Sequence, residues 1–140
     1  MPPANIYAKA MFTILLIEDD YDDIDLLQGA LADNKVVYKM DIINEGDKVN
    51  SYLESIKDLP HIIILDFNLP KKHGKDILKE IKADNRYKHI PLIVLTTSSA
   101  REDLEYSYKM GARHFITKPT TLAGFNKTVE IICSLVVQEQ

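Results

Sequence analysis

Short, almost wholly apolar runs recur along the chain at Phe12–Ile17, Ile62–Leu65 and residues 92–95, with a fourth and shorter one at 115–117. Near-continuous apolar runs of four to six residues are the pattern of central parallel strands, which are covered by helices on both faces. The stretch 36–43 alternates more and predicts a peripheral second strand. Between these runs the spacing changes to that of helices. Ile24, Leu27 and Leu31 share one face, as do Val49, Tyr52, Leu53 and Ile56, then Ile77, Leu78 and Ile81, and finally Phe125, Val129, Ile132 and Val136. Leu104 and Tyr108 mark a shorter, more polar helix. Asp20 or Asp22 is placed to cap the first helix, Gly111 to stop the fourth, and Pro60, Pro70 and Pro91 punctuate the connections. Five strand-then-helix units predict an α/β fold with a doubly wound, five-stranded parallel sheet.

The residues that close the apolar runs carry the chemistry. Glu18 and Asp19 follow the first strand, Asp66 the third, Thr96 the fourth and Lys118 the fifth. In an open parallel sheet the carboxyl ends of the strands face one crevice, so these five residues converge although they are far apart in the chain. Three carboxylates, a hydroxyl and an ammonium make a hard-cation pocket beside an anion pocket, as phosphoryl chemistry on a carboxylate requires.

Composition narrows the classes. The chain has 140 residues, one domain's worth, with 17 Lys and Arg against 21 Asp and Glu for a formal charge of −4. No basic block interleaves with aromatics, which argues against direct DNA binding. The one cysteine, Cys133, has no partner for a disulfide and lies in an apolar helical stretch, which fits a reduced, cytoplasmic location. No segment approaches the ~20 apolar residues of a membrane span, and the first residues lack the form of a secretion signal. Residues 1–11 read as an N-terminal extension and 12–140 as the domain. His61, His73, His89 and His114 sit on different elements without metal-ligand spacing. No glycine-rich loop follows the first strand, which counts against a flavin or dinucleotide site.

From about Phe12 to Val137 the sequence resembles the receiver domains of response regulators, the CheY-like group of two-component signalling. Glu18-Asp19, Asp66, Thr96 and Lys118-Pro119 match that family's acidic pair, phosphoacceptor, hydroxyl and lysine in order and in strand position. The stretches NLPKKHGKDILKEIKAD, IPLIVLTTSS and YKMGARHFITKP are most similar to stand-alone regulators, including phytochrome-associated ones. The resemblance implies a strand order of 2-1-3-4-5, phosphorylation of Asp66 by a histidine kinase or phosphotransfer protein, and signalling to a protein partner through the surface of the fourth helix, fifth strand and fifth helix. A weak homodimer through that surface is expected, with Tyr106, Tyr108 and Val137 in it. Mg²⁺ is the expected cofactor, held by Asp19 and Asp66, by Glu18 through water and by the backbone carbonyl of Asn68. In the family the peptide before the proline is cis, which implies the same for Lys118-Pro119.

Lys118 is expected to pair with Asp66 at rest and with the phosphoryl oxygens afterwards. Thr96 is expected to donate to the acyl phosphate, and Phe115 resembles the family's aromatic switch. The resemblance implies that Asn68 and Ser98 occupy positions that tune phosphoryl lifetime. Thr97 departs from the usual Ala or Gly and stands as a gate over the pocket, and Thr120 departs from the usual Phe. Two alternatives stay open: an aspartyl-phosphate phosphatase of the haloacid-dehalogenase type, whose Asp-x-Asp motif is here interrupted by Asn68, and an interaction module that keeps the fold without being phosphorylated.

Overall fold

The apolar run Phe12–Ile17 forms strand β1, and its side chains divide between two cores. Phe12, Ile14 and Leu16 face one, Leu15 and Ile17 the other. The same division holds for β3 (Ile62–Leu65) and β4 (Leu92–Thr96): Ile62, Ile64, Ile93 and Leu95 lie with the first set, Ile63, Leu65, Leu92 and Val94 with the second. Burial on both faces is why these strands carry no alternation. Truncating one such side chain to alanine costs about 2–5 kcal/mol.

The computed structural model describes residues 11–139, with side chains described as far as residue 136, so residues 1–10 of the expected extension lie outside the described residues. Five parallel strands lie in the order β2-β1-β3-β4-β5, with β2 at Tyr38–Ile43 and β5 at His114–Thr117. Helices α1 (Tyr21–Asp33) and α5 (Leu122–Glu139) cover one face, through Ile24, Leu27, Leu31, Phe125, Val129, Ile132 and Val136. Helices α2 (Val49–Ser55) and α3 (Gly74–Ala83) cover the other, through Val49, Leu53, Ile77, Leu78 and Ile81. Helix α4 (Arg101–Lys109) buries only Ser107 and leaves Leu104 and Tyr108, the two positions that mark it in the sequence, exposed.

Asp20 caps α1, its Oδ1 accepting the N–H groups of Asp22 at 2.9 Å and Asp23 at 3.2 Å. His73 caps α3, with Nδ1 accepting from the Lys75 amide at 3.1 Å. Gly111 ends α4 at φ +105°, with its N–H bonded to Tyr108 O and that of Ala112 to Ser107 O, the paired closure that needs a left-handed residue. Helix α1 closes in the same way on Lys35 at φ +55°, which binds the Val36 N–H to Leu31 O. This corrects the expected start of the second strand: Val36 and Val37 complete the helix end, and β2 begins at Tyr38. A second correction concerns proline. Among the described residues no peptide bond is cis, so Lys118-Pro119 is trans, the isomer that an X–Pro bond prefers by about 0.5–1 kcal/mol.

Candidate functional site

Sheet register brings the strand-end residues together. Ile17 pairs with Leu65, Leu65 with Val94, and Thr96 with Thr117, so Glu18, Asp66 and Lys118 all leave the sheet at the carboxyl ends of its strands. Backbone hydrogen bonds continue the ladder into the site: Glu18 N–H donates to Ile43 O at 3.0 Å, Asp66 N–H to Ile17 O at 3.0 Å, and Lys118 N–H to Thr96 O at 2.7 Å. The functional side chains therefore stand on the rigid sheet rather than on free loops. Behind Asp66, α3 approaches so closely that a Cβ on Gly74 would lie 2.3 Å from Asp66 O, which reserves that position for glycine.

Lys118 is the centre of the cluster. Its side chain is 5% exposed and its Nζ lies 2.7 Å from Glu18 Oε2, 2.8 Å from Asp23 Oδ2 and 3.0 Å from Asp66 Oδ2. Burial alone would favour the neutral amine, but contacts with the three carboxylates outweigh it and hold the ammonium well above the ordinary lysine range. Glu18 is also buried, with Oε1 accepting the Asp19 and Asp20 N–H groups at 3.0 Å each. Burial pushes its carboxyl up to about 7; Lys118 and the Asp20 amide pull it back, and the charge of Asp66 adds to the rise. Asp66 Oδ1 accepts from the Asn68 N–H at 3.2 Å.

Glu18, Asp19 and Asp66 each present a carboxylate oxygen within 4.8 Å of the others. Asp19 is exposed while the other two are buried, which leaves the group open to solvent on one side. Hard oxygen donors on a partly open site suit a small divalent cation that keeps some of its water. Thr96 is fully buried, and its Oγ1 has no hydrogen-bond partner among the described residues. A hydroxyl left in that condition at the end of β4 is a donor in want of an acceptor.

The remaining expected residues divide. Thr97 is exposed, and its Oγ1 accepts from Asn68 Nδ2 at 3.3 Å, so these two side chains meet beside Asp66. Ser98 turns away instead: its Oγ donates to Asp103 Oδ2 of α4 at 2.6 Å, and Asp103 is also paired with Lys75. Phe115 is half-buried, its ring centroid 6.3 Å from that of Phe67, and its N–H donates to the Tyr108 hydroxyl at 3.2 Å. Asp23 was not among the expected site residues. It lies at the third position of α1, within a run of acids where nothing in the sequence separates a capping carboxylate from one aimed at the site. Cys133 is wholly buried, and burial pushes its thiol up to about 11, as expected of an inert core cysteine.

Among the described residues no helix is long and apolar enough to cross a membrane. The family described as the response regulator receiver domain matches residues 14–130. The chain is 34% identical over 122 residues to the response regulator Rcp1 of Synechocystis sp., covering 84% of this chain and 83% of that one. Its fold superposes on the Mn²⁺-bound form of Rcp1 with a TM-score of 0.78 at 34% identity, covering 88% of this chain and 92% of that one. On the phosphorylated cyanobacterial phytochrome response regulator RcpA the TM-score is 0.82 at 34% identity, over 94% of this chain and 97% of that one. With the sheet order, the strand-end cluster and these likenesses in agreement, the chain belongs to the response regulator receiver family.

Proposed function

We propose that this receiver accepts a phosphoryl group on Asp66 from a histidine kinase or phosphotransfer protein and passes the change to a protein partner through α4, β5 and α5. The observation that carries the proposal is the buried Lys118 ammonium held against Asp66 Oδ2 at 3.0 Å, beside a triad of carboxylate oxygens. Asp19 and Asp66 would hold Mg²⁺, assisted by Glu18 through water and by the carbonyl of Asn68. A divalent cation bound there neutralises the charges that would otherwise keep a carboxylate and a phosphoryl group apart.

Asp66 supplies the nucleophile. One of its carboxylate oxygens forms a bond to phosphorus while the phosphorus–nitrogen bond of the donor phosphohistidine breaks, and the electron pair leaves with the imidazole nitrogen. Lys118, already beside Asp66, moves its N–H donors onto the phosphoryl oxygens. Thr96 donates a hydrogen bond from its unpartnered hydroxyl to the same group, and its shift makes room for Phe115 to turn inward. RcpA, a relative in sequence and fold, is a cyanobacterial phytochrome response regulator, which favours a phytochrome-type sensor as the source of the phosphoryl group here. The reaction belongs to the cytoplasm, where such kinases present their phosphohistidine. The domain is taken to run over 12–140 with 1–11 as an extension. Membership of the receiver family favours this reading over the phosphatase alternative. Incubation with acetyl phosphate tests the proposal: uptake of one phosphoryl group with Mg²⁺, and none after chelation, is the expected result.

A further inference from the structure

The Lys118 ammonium has three N–H donors, and carboxylates from three different elements stand within reach of them: Glu18 at the end of β1, Asp23 in the first turn of α1, and Asp66 at the end of β3. Two of these three, Glu18 and Asp66, also belong to the triad whose oxygens cluster within 4.8 Å, and Asp23 does not. A cation seated on the triad therefore competes with Lys118 for Glu18 and Asp66. The Lys118 side chain is 5% exposed, so water has little room to replace a lost partner. Stripping both carboxylates from it would leave a buried ammonium uncompensated.

We infer that Asp23 is a positioning residue of this site: it retains the Lys118 ammonium when Glu18 and Asp66 turn to a divalent cation, and so makes cation binding compatible with a buried lysine. The inference rests on the phosphoryl-acceptor reading and adds a residue to it. Asp23 is suited to the role because its backbone is fixed by the Asp20 cap and its carboxylate, a fifth exposed, reaches Lys118 Nζ at 2.8 Å. The neighbouring Asp22 carries the same charge on the exposed side of the same turn, without contact to Lys118.

Mg²⁺ titration followed by amide NMR on the full chain tests this. Asp23→Asn keeps the backbone N–H that the cap uses, and it is expected to weaken Mg²⁺ binding about tenfold. Asp23→Glu is expected to return most of the affinity, and Asp22→Asn to stay within about twofold of wild type, the effect of a screened surface charge. A second readout needs no metal: the Lys118 ammonium protons, observed through nitrogen-15, are expected to exchange with water faster in Asp23→Asn than in wild type. Unchanged Mg²⁺ affinity in Asp23→Asn, or equal weakening by Asp22→Asn, would overturn the inference. Wild-type protein that binds Mg²⁺ but takes no phosphoryl group would overturn the acceptor reading instead.

Discussion

Asn68 and Thr97 meet through a hydrogen bond of 3.3 Å from Nδ2 to Oγ1, which joins the loop after β3 to the loop after β4 beside the Asp66 carboxylate. Hydrolysis of an acyl phosphate needs a water in line behind phosphorus, and side chains over the pocket act by occupying that approach. Threonine is stiff at χ1, and here its hydroxyl is also tethered. Thr97→Ala is expected to accelerate both phosphorylation by small donors and loss of the phosphoryl group by about threefold to thirtyfold, or about 0.7–2 kcal/mol in barrier height. Asn68→Ala should reproduce part of the effect, with a double mutant short of additive because the pair acts together. Decay measured after removal of the donor decides this; an unchanged or slower decay in Thr97→Ala means that the side chain does not guard the approach.

Lys118 contacts three carboxylates at once, two of them buried. Lys118→Ala is therefore expected to lower stability by about 3 kcal/mol in metal-free buffer, as breaking a buried ion pair does. The deficit has a pH sign. Burial pushes the Glu18 carboxyl up from an ordinary 4.5 to about 7 in the folded protein, and removing Lys118, which pulls it down, raises it further. Between those values the folded state holds a proton that the unfolded chain has released, so stability falls as pH rises through the window and the variant recovers on acidification. Denaturant melts at pH 5 and pH 8 read this out. In the same variant, amide shifts around Phe115 on adding beryllofluoride should be lost, and a full wild-type shift pattern would remove Lys118 from the coupling.

Gly74 supports the site from behind. A methyl group there would meet Asp66 O at 2.3 Å and Phe67 Cα at 2.6 Å, both backbone atoms that cannot turn aside. Gly74→Ala is expected to cost about 1–3 kcal/mol as an overpacked position and to displace the Asp66 carbonyl. Thermal melting together with Mg²⁺ titration checks both effects. Wild-type stability would mean that the β3–α3 loop yields at no cost.

The fourth helix presents Leu104 and Tyr108, both more than two-fifths exposed. Tyr108 also accepts the Phe115 N–H, which ties this surface to β5, while Tyr106 is turned inward with its hydroxyl on Lys75 O at 3.0 Å. Of the residues expected in this surface, the Val137 side chain lies outside the described residues. A mixed apolar and polar patch of this kind suits a transient contact. Weak self-association that strengthens with beryllofluoride is expected in sedimentation at several concentrations; a strict monomer in both states would refute it.

Most of this arrangement is legible in the sequence because the central strands are buried on both faces. A continuous apolar run has a visible end, and Glu18, Asp66, Thr96 and Lys118 are the residues standing there. Asp23 is hidden for the opposite reason: the acids at 20, 22 and 23 all suit a helix N-terminus, and only the packing of α1 against the sheet distinguishes them. The start of β2 is hidden because a lysine takes the left-handed position at 35, where a glycine would have signalled the end of α1. Thr97 and Ser98 are adjacent, yet one leans on Asn68 and the other on Asp103, a divergence decided by loop geometry that periodicity does not reach.

Intact-mass measurement after incubation with acetyl phosphate and Mg²⁺, on wild type and Asp66→Asn side by side, tests the central claim most directly. Asparagine keeps the size of the side chain and removes the nucleophilic carboxylate, so fold and phosphorylation are separated. The expected result is one added phosphoryl group on wild type, none on the variant, and none on either after chelation. Undiminished labelling of Asp66→Asn would place the acceptor elsewhere, and an unlabelled wild type would make the protein a receiver fold that signals without phosphorylation.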